Sequence, residues 1–260
     1  MAWAALNEVA TYLDQYLRIG DCPDEPNAVN GLEVENGGRI GAIIAAVDAW
    51  QLTIDAAVAR APVYEAPPLI LVHHGLFWDG NVPVTGRRYK RLKSLIAHDI
   101  PLYAAHIPLD VHPDVGNNAV TARLLGLVEQ RPFDTYKGVP LGVQGMLAGP
   151  TRREDVLAAV NRALGTTGRL LAGGPEMVRS VGVITGAAGS RIGVARAAGL
   201  DLYLTGEGVH HTYFDAMELG VNVVYAGHYA TETVGVKALA THLAQRFGLP
   251  WEFHDHPTGM

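Results

Sequence analysis

The amino-acid sequence predicts an α/β protein with a substantially parallel sheet, and two observations favour this class. Short apolar runs alternate along the chain with segments of helical periodicity, which is the order that strand–helix–strand units produce. Glycine and proline mark the ends of several of these segments, as Gly126 and Pro250 do. A chain of 260 residues is long enough for one large α/β unit or two closely joined ones.

Each element is predicted from a local pattern. The predicted strands, in chain order, are residues 30–35, 40–47, 69–72, 102–105, 141–147, 169–172, 181–185, 200–205 and 221–225. The predicted helices are residues 5–19, 53–60, 90–98, 117–125, 156–164, 192–198 and 232–246. Asn117 is the expected N-cap of its helix, because an asparagine side chain can accept a hydrogen bond from a free backbone N–H of the first turn.

A weak internal repeat runs through the chain. In each half, one predicted strand ends in a histidine that is followed four residues later by a carboxylate: His106 and Asp110, then His228 and Glu232. Ligands of open α/β sheets bind beyond the carboxyl ends of the strands. We therefore predict two related, intimately packed halves of three-layer α/β/α type, with a metal site in the crevice between them. The predicted halves are residues 1–126 and 127–260. The alternative is chance similarity, because any α/β chain repeats strand–turn–helix units.

Composition narrows the function classes. The net charge of −6 and a pI near 6.0 argue against a nucleic-acid partner. The single cysteine, Cys22, excludes an internal disulfide and a thiolate metal cluster, and it fits a cytoplasmic location. No stretch reaches the ~18 apolar residues of a membrane-spanning helix. Polar residues interrupt the first apolar segment, so an amphipathic helix is expected there instead of a signal peptide.

Two adjacent histidines, His73 and His74, follow the predicted strand 69–72. Adjacent side chains of an extended chain point to opposite sides, so this pair suits two ions on either side of the backbone. Gly75 gives the chain local freedom at this point. For such a pair taken alone, the alternative is one histidine that is hydrogen-bonded in the core and one that is exposed.

Asp110 follows Pro108, which we expect to prevent a helix from starting at His106. The sequence therefore predicts that Asp110 is presented from an extended loop as a metal ligand. His106 is expected to support the ligands or line the pocket, where it could act as a proton shuttle. The alternative is that His106 only hydrogen-bonds backbone at a strand end.

The second half contributes Glu232, which is expected at or near a helix start, where free N–H groups and the helix dipole favour a negative charge. Helix capping alone explains such a glutamate, but histidines and another carboxylate are expected at neighbouring strand ends. We predict that Glu232 bridges two ions, which would share a bound water and lower its pKa for hydrolysis. Glu207 and His210 are further candidate proton shuttles.

These segments resemble a known family. The residues that carry the resemblance are Asn30-Gly31-Leu32-Glu33-Val34-Glu35, His73-His74-Gly75-Leu76-Phe77-Trp78, His106-Ile107-Pro108-Leu109-Asp110, Thr205-Gly206-Glu207 and Gly227-His228-Tyr229-Ala230-Thr231-Glu232. In this order they are similar to the motifs of the YbgI-type, or Nif-three-like, dinuclear metal-centre proteins. Many of these proteins are called GTP cyclohydrolase 1 type 2 homologues. The resemblance extends over nearly the whole chain.

The resemblance implies a set of five metal ligands: His73, His74, Asp110, His228 and Glu232. It also implies a ring-shaped homohexamer with an internal cavity, and a short form of the fold with no large inserted domain. Two divalent ions per subunit are expected, and histidine and carboxylate ligands without cysteine suit Zn, Fe, Mn, Co or Ni. The pair His210-His211 departs from the family's pattern, so we expect it to line the pocket.

Two functions fit these expectations. The first is a metal-dependent hydrolase of cyclohydrolase type, in which a metal-bound water attacks the substrate and His106, Glu207 or His210 moves a proton. The alternative is a non-catalytic metal-binding or regulatory scaffold, which the lack of a distinctive substrate-recognition motif favours. The tail His254-Asp255-His256 is expected either to be solvated or to fold back over the site.

Overall fold

The structure, a computed structural model, describes residues 3–260 and has the mixed α/β fold that the sequence predicts. Its strands are β1 (Ala4–Ala5), β2 (Gly31–Val34), β3 (Arg39–Ile40), β4 (Ala42–Asp48), β5 (Pro68–His74), β6 (Leu102–Ala104), β7 (Val128–Tyr136), β8 (Val139–Arg152), β9 (Arg169–Ala172), β10 (Met177–Val183), β11 (Leu202–Thr205), β12 (Asn222–Tyr225) and β13 (Trp251–Phe253). Its helices are α1 (Leu6–Tyr16), α2 (Gln51–Arg60), α3 (Gly86–Ala97), α4 (Ile107–Asp110), α5 (Asn117–Leu124), α6 (Arg153–Leu164), α7 (Ile192–Ala197), α8 (Thr212–Leu219) and α9 (His228–Phe247). Within residues 3–260, no helix is long and apolar enough to cross a membrane.

The chain folds into two compact units. The first unit comprises the residues up to Leu109 together with Val236–His256, and the second comprises Asp110–Gly235 together with Pro257–Met260. These units do not coincide with the two predicted halves, which divide at residue 126. That division into related halves stays a prediction.

The first unit is built on a five-stranded sheet in the order β13-β4-β5-β6-β2. β13, β4, β5 and β6 are parallel, and β2 is an antiparallel edge strand. Every residue of β4 and β5 except the last of each is buried, which explains the unbroken apolar runs in the sequence. Because the parallel strands end at the same edge, polar residues that follow them lie together. In this register Asp48 at the end of β4 pairs with His74 at the end of β5.

The second unit is built on a six-stranded sheet in the order β7-β8-β10-β11-β12-β9. β10, β11 and β12 are parallel, and their outer neighbours β8 and β9 are antiparallel to them. Side chains that alternate along β11 enter different apolar clusters: Leu202 and Leu204 belong to one and Tyr203 to the other. Beyond the strand ends, the amide of Gly206 donates to Gly186 O and that of Gly227 donates to Gly206 O, each at 2.9 Å. These bonds hold three turns side by side at one edge of the sheet.

Two predicted element boundaries near the candidate site are wrong. α4 covers Ile107–Asp110, so Asp110 ends a short helix and does not lie in an extended loop. Pro108 is in the first turn of this helix, where its missing N–H costs no hydrogen bond. α9 begins at His228, one turn before the predicted start at residue 232. His228 and Glu232 therefore lie on the same face of one helix.

Candidate metal centre

In the first unit, the ends of β5 and its neighbours fix the rings of His73 and His74. The Nδ1 of His73, a buried residue, donates to the carbonyl oxygen of Ala105 at 2.9 Å, and the Nδ1 of His74 donates to the carboxylate of Asp48 at 2.8 Å. Carbonyl and carboxylate oxygens can only accept, so Nδ1 carries the hydrogen in both rings. In the neutral ring Nε2 then presents a lone pair, which is the usual state of a histidine that binds a metal ion.

A third histidine lies beside this pair. His73, His74 and His106, called here the histidine cluster, each have one ring nitrogen within 4.8 Å of a ring nitrogen of the other two. The ring of His106 is 5.0 Å from that of His73 and 5.6 Å from that of His74, measured between ring centres. Trp78 contacts His106 edge-on at 4.8 Å. The three imidazoles could hold a metal ion.

A buried carboxyl group supports the turn that follows this cluster. Glu33 on β2 accepts a hydrogen bond from the amide of Leu76 at 2.7 Å. A Cβ atom at Gly75 would lie 2.0 Å from Glu33 Oε1, so glycine is required here for space. Burial raises the pKa of Glu33 to about 7, although the hydrogen bond from Leu76 opposes the shift.

In the second unit, His228 lies between two carboxylates. Its Nδ1 donates to Glu207 Oε1 at 2.7 Å, and its Nε2 is 3.2 Å from Glu232 Oε1. Burial alone would lower the pKa of His228, but the hydrogen bonds and charges of Glu232 and Glu207 outweigh it and raise the pKa to about 9. Without a metal ion, the protonated ring therefore compensates the negative charge of its two neighbours.

A glycine turn closes against Glu232, whose side chain is only 3% exposed. Gly186 has φ +70°, and a Cβ atom there would lie 2.4 Å from Glu232 Oε1 and 3.5 Å from His228 Nε2. Only glycine adopts this backbone conformation freely and leaves room for the carboxylate. The turn after β10 thus forms a close-fitting wall around the two side chains.

Asp110 is oriented by two donors of the same unit. Its Oδ1 accepts from Asn117 Nδ2 at 2.9 Å and from Thr185 Oγ1 at 3.2 Å. Asn117 does not cap α5, contrary to the prediction: Gly116 is the N-cap residue and no side chain caps this end. The side chain of Asn117 instead donates to Asp110 and accepts a hydrogen bond from the amide of Gly235 at 2.8 Å. Asp110, His228 and Glu232 are called here the carboxylate cluster.

The structure also places the remaining predicted residues. Glu207 orients His228, as described above. His210 is exposed and packs edge-on against Phe214 at 5.6 Å between ring centres, and its neighbour His211 is exposed as well. Catalytic roles for Glu207 and His210 stay predictions. The tail folds onto the first unit, where the amide of His254 donates to Ala45 O at 2.8 Å and His256 packs against Trp50.

Several supporting residues are not predicted from the sequence. Asp48, Thr185 and Asp24, which binds His106 Nδ1 at 2.7 Å, are single polar residues without a motif of their own. Asp48 had a usable signal, because it ends a strand that neighbours the strand of His74 in a parallel order. Thr185 and Asp24 had none, since their partners are distant in sequence.

Imidazole and carboxylate groups at strand ends, supported by hydrogen-bonded neighbours, define the donor set of a candidate divalent-metal protein of the α/β class. The chain matches the family model Duf34/NIF3 (NGG1p interacting factor 3) over residues 4–258, and it belongs to that family.

Known relatives and solved structures agree with this membership. A protein of Deinococcus radiodurans named GTP cyclohydrolase 1 type 2 homolog is 42% identical over 254 residues, covering 98% of this chain and 94% of the relative. The solved structure of protein ybgI superposes with a TM-score of 0.89 at 34% identity, covering 99% of this chain and all of that one. TTHA1606 from Thermus thermophilus gives a TM-score of 0.87 at 40% identity, again over 99% of this chain and the whole of the other.

Proposed function

We propose that this protein binds two divalent metal ions through His73, His74, Asp110, His228 and Glu232, and that it uses them as a metal-dependent hydrolase. The observation that carries the proposal is the hydrogen-bond arrangement that His73, His74 and His228 share. Each of them uses Nδ1 for an oxygen acceptor: Ala105 O, Asp48 and Glu207. This arrangement of ring, hydrogen and acceptor is typical of histidines that bind metal through Nε2.

The rest of the donor set fits the same group. Glu232 and Asp110 supply negative charge, and Gly186 leaves space beside Glu232 that any other residue would fill. The donors are nitrogen and oxygen only, which suits Zn, Fe, Mn, Co or Ni. When bound, such ions polarise a substrate bond and activate water for hydrolysis.

The chain's own residues have distinct tasks in this proposal. Asp48 and Glu207 keep the rings of His74 and His228 in place. His106 is the proposed proton-transfer residue, because it lies beside His73 and His74 without belonging to the proposed ligand set. The name of the relatives favours a cyclic purine-like substrate, and GTP is therefore the first compound to test.

Elemental analysis tests the metal proposal. Protein purified without chelators or a histidine tag is expected to contain about two equivalents of divalent metal per chain. Glu232→Ala is expected to lose most of it, while Glu218→Ala, an exposed carboxylate on α8, keeps it. Equal metal content in the two variants would contradict the assignment of Glu232.

Turnover tests the hydrolase proposal separately. Metal-loaded and chelator-treated protein are compared on GTP, followed through the ultraviolet spectrum of the guanine ring, and on a panel of phosphoesters and cyclic amides. Activity that requires the metal and disappears in Glu232→Ala is expected. Tight, stoichiometric metal binding with no turnover on any compound would instead favour a non-catalytic metal-binding protein.

A further inference from the structure

The loop before β2 contains an acidic side chain that holds His106. Asp24 Oδ1 accepts a hydrogen bond from His106 Nδ1 at 2.7 Å, and the Asp24 side chain is only 6% exposed. The two residues are separated by 82 positions in the sequence. A buried carboxylate therefore reaches across the fold to one nitrogen of this ring.

His106 is held at two points. Asp24 Oδ2 accepts from the amide of Ile107 at 3.0 Å and from Asn30 Nδ2 at 2.8 Å. The Oδ1 of Asn30 in turn accepts a hydrogen bond from the backbone amide of His106 at 2.7 Å. The backbone and the ring of His106 are thus tied to one closed network, which leaves the ring little freedom to rotate.

This network fixes which nitrogen carries the hydrogen. The carboxylate of Asp24 can only accept, so the hydrogen is on Nδ1 and the Nε2 of the neutral ring has a lone pair. Within residues 3–260, no protein group makes a hydrogen bond to His106 Nε2, and the side chain is 17% exposed. This nitrogen is therefore accessible to a small molecule beside His73, His74 and Trp78.

We propose that Asp24 is the positioning residue of His106: it fixes the ring and its tautomer so that Nε2 accepts a hydrogen bond from an O–H or N–H group of the substrate. This inference rests on the proposed function, because it assigns a task to a residue of the same site. It also distinguishes His106 from the other predicted shuttles. The Oε1 of Glu207 is bound to His228, and His210 packs on Phe214 at the surface.

Asp24→Asn is a sharp test because the network dictates how the amide would sit. Two fixed donors, Ile107 N–H and Asn30 Nδ2, face the Oδ2 position, whereas Oδ1 faces one fixed donor, the amide of Glu25 at 2.6 Å, and the ring of His106, whose hydrogen can move. The amide oxygen is therefore expected at the Oδ2 position, where it satisfies two donors and only the Glu25 amide loses its acceptor. The amide NH2 then occupies the Oδ1 position and donates to His106 Nδ1. The hydrogen of the ring must move to Nε2, which would reverse its role from acceptor to donor.

The measurement is long-range proton–nitrogen NMR on protein with 15N-labelled histidine rings, with the His106 signals assigned by their loss in His106→Ala. In the unmodified protein we expect the Nδ1–H tautomer, and in Asp24→Asn the Nε2–H tautomer. Asp21→Asn is the matched control, because Asp21 lies in the same segment but is exposed and bonds only Arg18 among the residues described. It should leave the His106 signals unchanged.

Metal content and turnover separate this inference from the proposed function. Asp24→Asn should keep its Zn content and lose at least tenfold in kcat on a compound that the metal-loaded protein hydrolyses. An Nε2–H tautomer in the unmodified protein would overturn the inference, and this measurement does not depend on whether Asp24→Asn folds. An unchanged tautomer in a folded Asp24→Asn protein would overturn it as well. Loss of the divalent metal in a folded Asp24→Asn protein would indicate that His106 is a ligand and also contradict it, whereas absence of any divalent metal from the unmodified protein would contradict the proposed function alone.

Discussion

The histidine cluster and the carboxylate cluster hold their candidate metal-binding groups in different ways. In the histidine cluster, the Nδ1 of each ring donates a hydrogen bond to an oxygen. The acceptors of His73, His74 and His106 are Ala105 O, Asp48 and Asp24. In the carboxylate cluster, Asn117 and Thr185 both donate a hydrogen bond to the carboxylate of Asp110. The first cluster thus offers oriented ring nitrogens, and the second adds oriented negative charge.

The difference teaches how each cluster would respond to an ion. Glu207 and Glu232 share a histidine whose pKa is raised to about 9, so the metal-free carboxylate cluster contains its own counter-charge. A divalent ion that binds there must displace that proton. In the histidine cluster the geometry is set largely by strand register, because Asp48 and His74 are paired residues of neighbouring strands. Substitutions in the two clusters test this contrast, from the largest expected effect to the smallest.

Gly186→Ala is expected to have the largest effect. Its Cβ would lie 2.4 Å from Glu232 Oε1, and φ +70° disfavours any side chain at this position. The buried carboxylate must therefore move away from its proposed metal-binding position. We expect more than a tenfold loss of metal affinity and a decrease of about 2 kcal/mol in the free energy of unfolding.

Titration with a metal-chelating dye and urea unfolding measure these two effects. Gly193→Ala is the control, because its Cβ would meet no atom within 4 Å and the residue lies within α7. This control should bind metal normally and gain a few tenths of a kcal/mol of stability from the better helix propensity of alanine. Normal metal binding by Gly186→Ala would remove the carboxylate cluster from the proposed site.

Removal of the acceptors compares the two clusters directly. Asp48→Ala releases the ring of His74, and Glu207→Ala releases that of His228. Loss of such a supporting group typically lowers metal affinity about 10–100-fold. Isothermal titration with Zn²⁺ should show a loss in this range for each variant, and Asp55→Ala, an exposed position on α2, should show none. If only one of the two variants loses affinity, only that cluster binds tightly.

Many of the strands and all five candidate ligands could be identified from the sequence. The edge strand 169–172 is predicted with its observed bounds, and the central strands are predicted because parallel strands are apolar on both faces. His73, His74, Asp110, His228 and Glu232 were singled out by their places at strand ends. These signals are local in sequence.

What the sequence could not predict depends on pairs that are distant along the chain. β7 and α8 were not identified, and β7 has few buried residues to reveal its period. The helical state of Asp110 is not predicted because Pro108 indicates a helix break, although a proline in the first turn is compatible with a helix. Asn117 fits the pattern of a cap, but the tertiary contact to Asp110 determines its role.

The raised pKa of His228 predicts a pH dependence for the metal-free protein. A histidine whose pKa rises from 6.5 to about 9 on folding contributes stability that is complete below pH 6.5 and is lost as the pH rises through 9. One pKa unit corresponds to about 1.4 kcal/mol. Because the ring is partly exposed and solvent screens its charge, we expect a smaller loss than the full shift implies, on the order of 2 kcal/mol. Urea unfolding in the presence of EDTA at pH 6 and pH 9.5 measures it. Glu207→Gln should flatten the profile only in part, because the hydrogen bond and charge of Glu232 raise this pKa more than those of Glu207 do. A profile unchanged by this variant would contradict a contribution from Glu207.

The smallest effect is expected at Glu33, beside the histidine cluster. Burial raises the pKa of this carboxyl from 4.5 to about 7, so between these values the folded protein holds a proton that the unfolded chain has released. Folding stability therefore falls as the pH rises from 4.5 to 7, and the full penalty remains above pH 7. Glu33→Gln removes the charge and keeps an oxygen acceptor for the amide of Leu76.

The variant should thus be more stable than the unmodified protein at pH 8 and should show no gain near pH 4.5. We expect a gain of only about 1 kcal/mol, because the new NH2 group would lie where Glu33 Oε1 is buried without a hydrogen-bond partner among the described residues, and a buried unsatisfied donor is costly. Urea unfolding at the two pH values measures the difference, and Glu35→Gln, an exposed neighbour, provides the comparison. A stabilisation of the same size at both pH values would mean that the charge of Glu33 is not its origin. In that case only the carboxylate cluster would contain a group, His228, whose pKa is raised on folding.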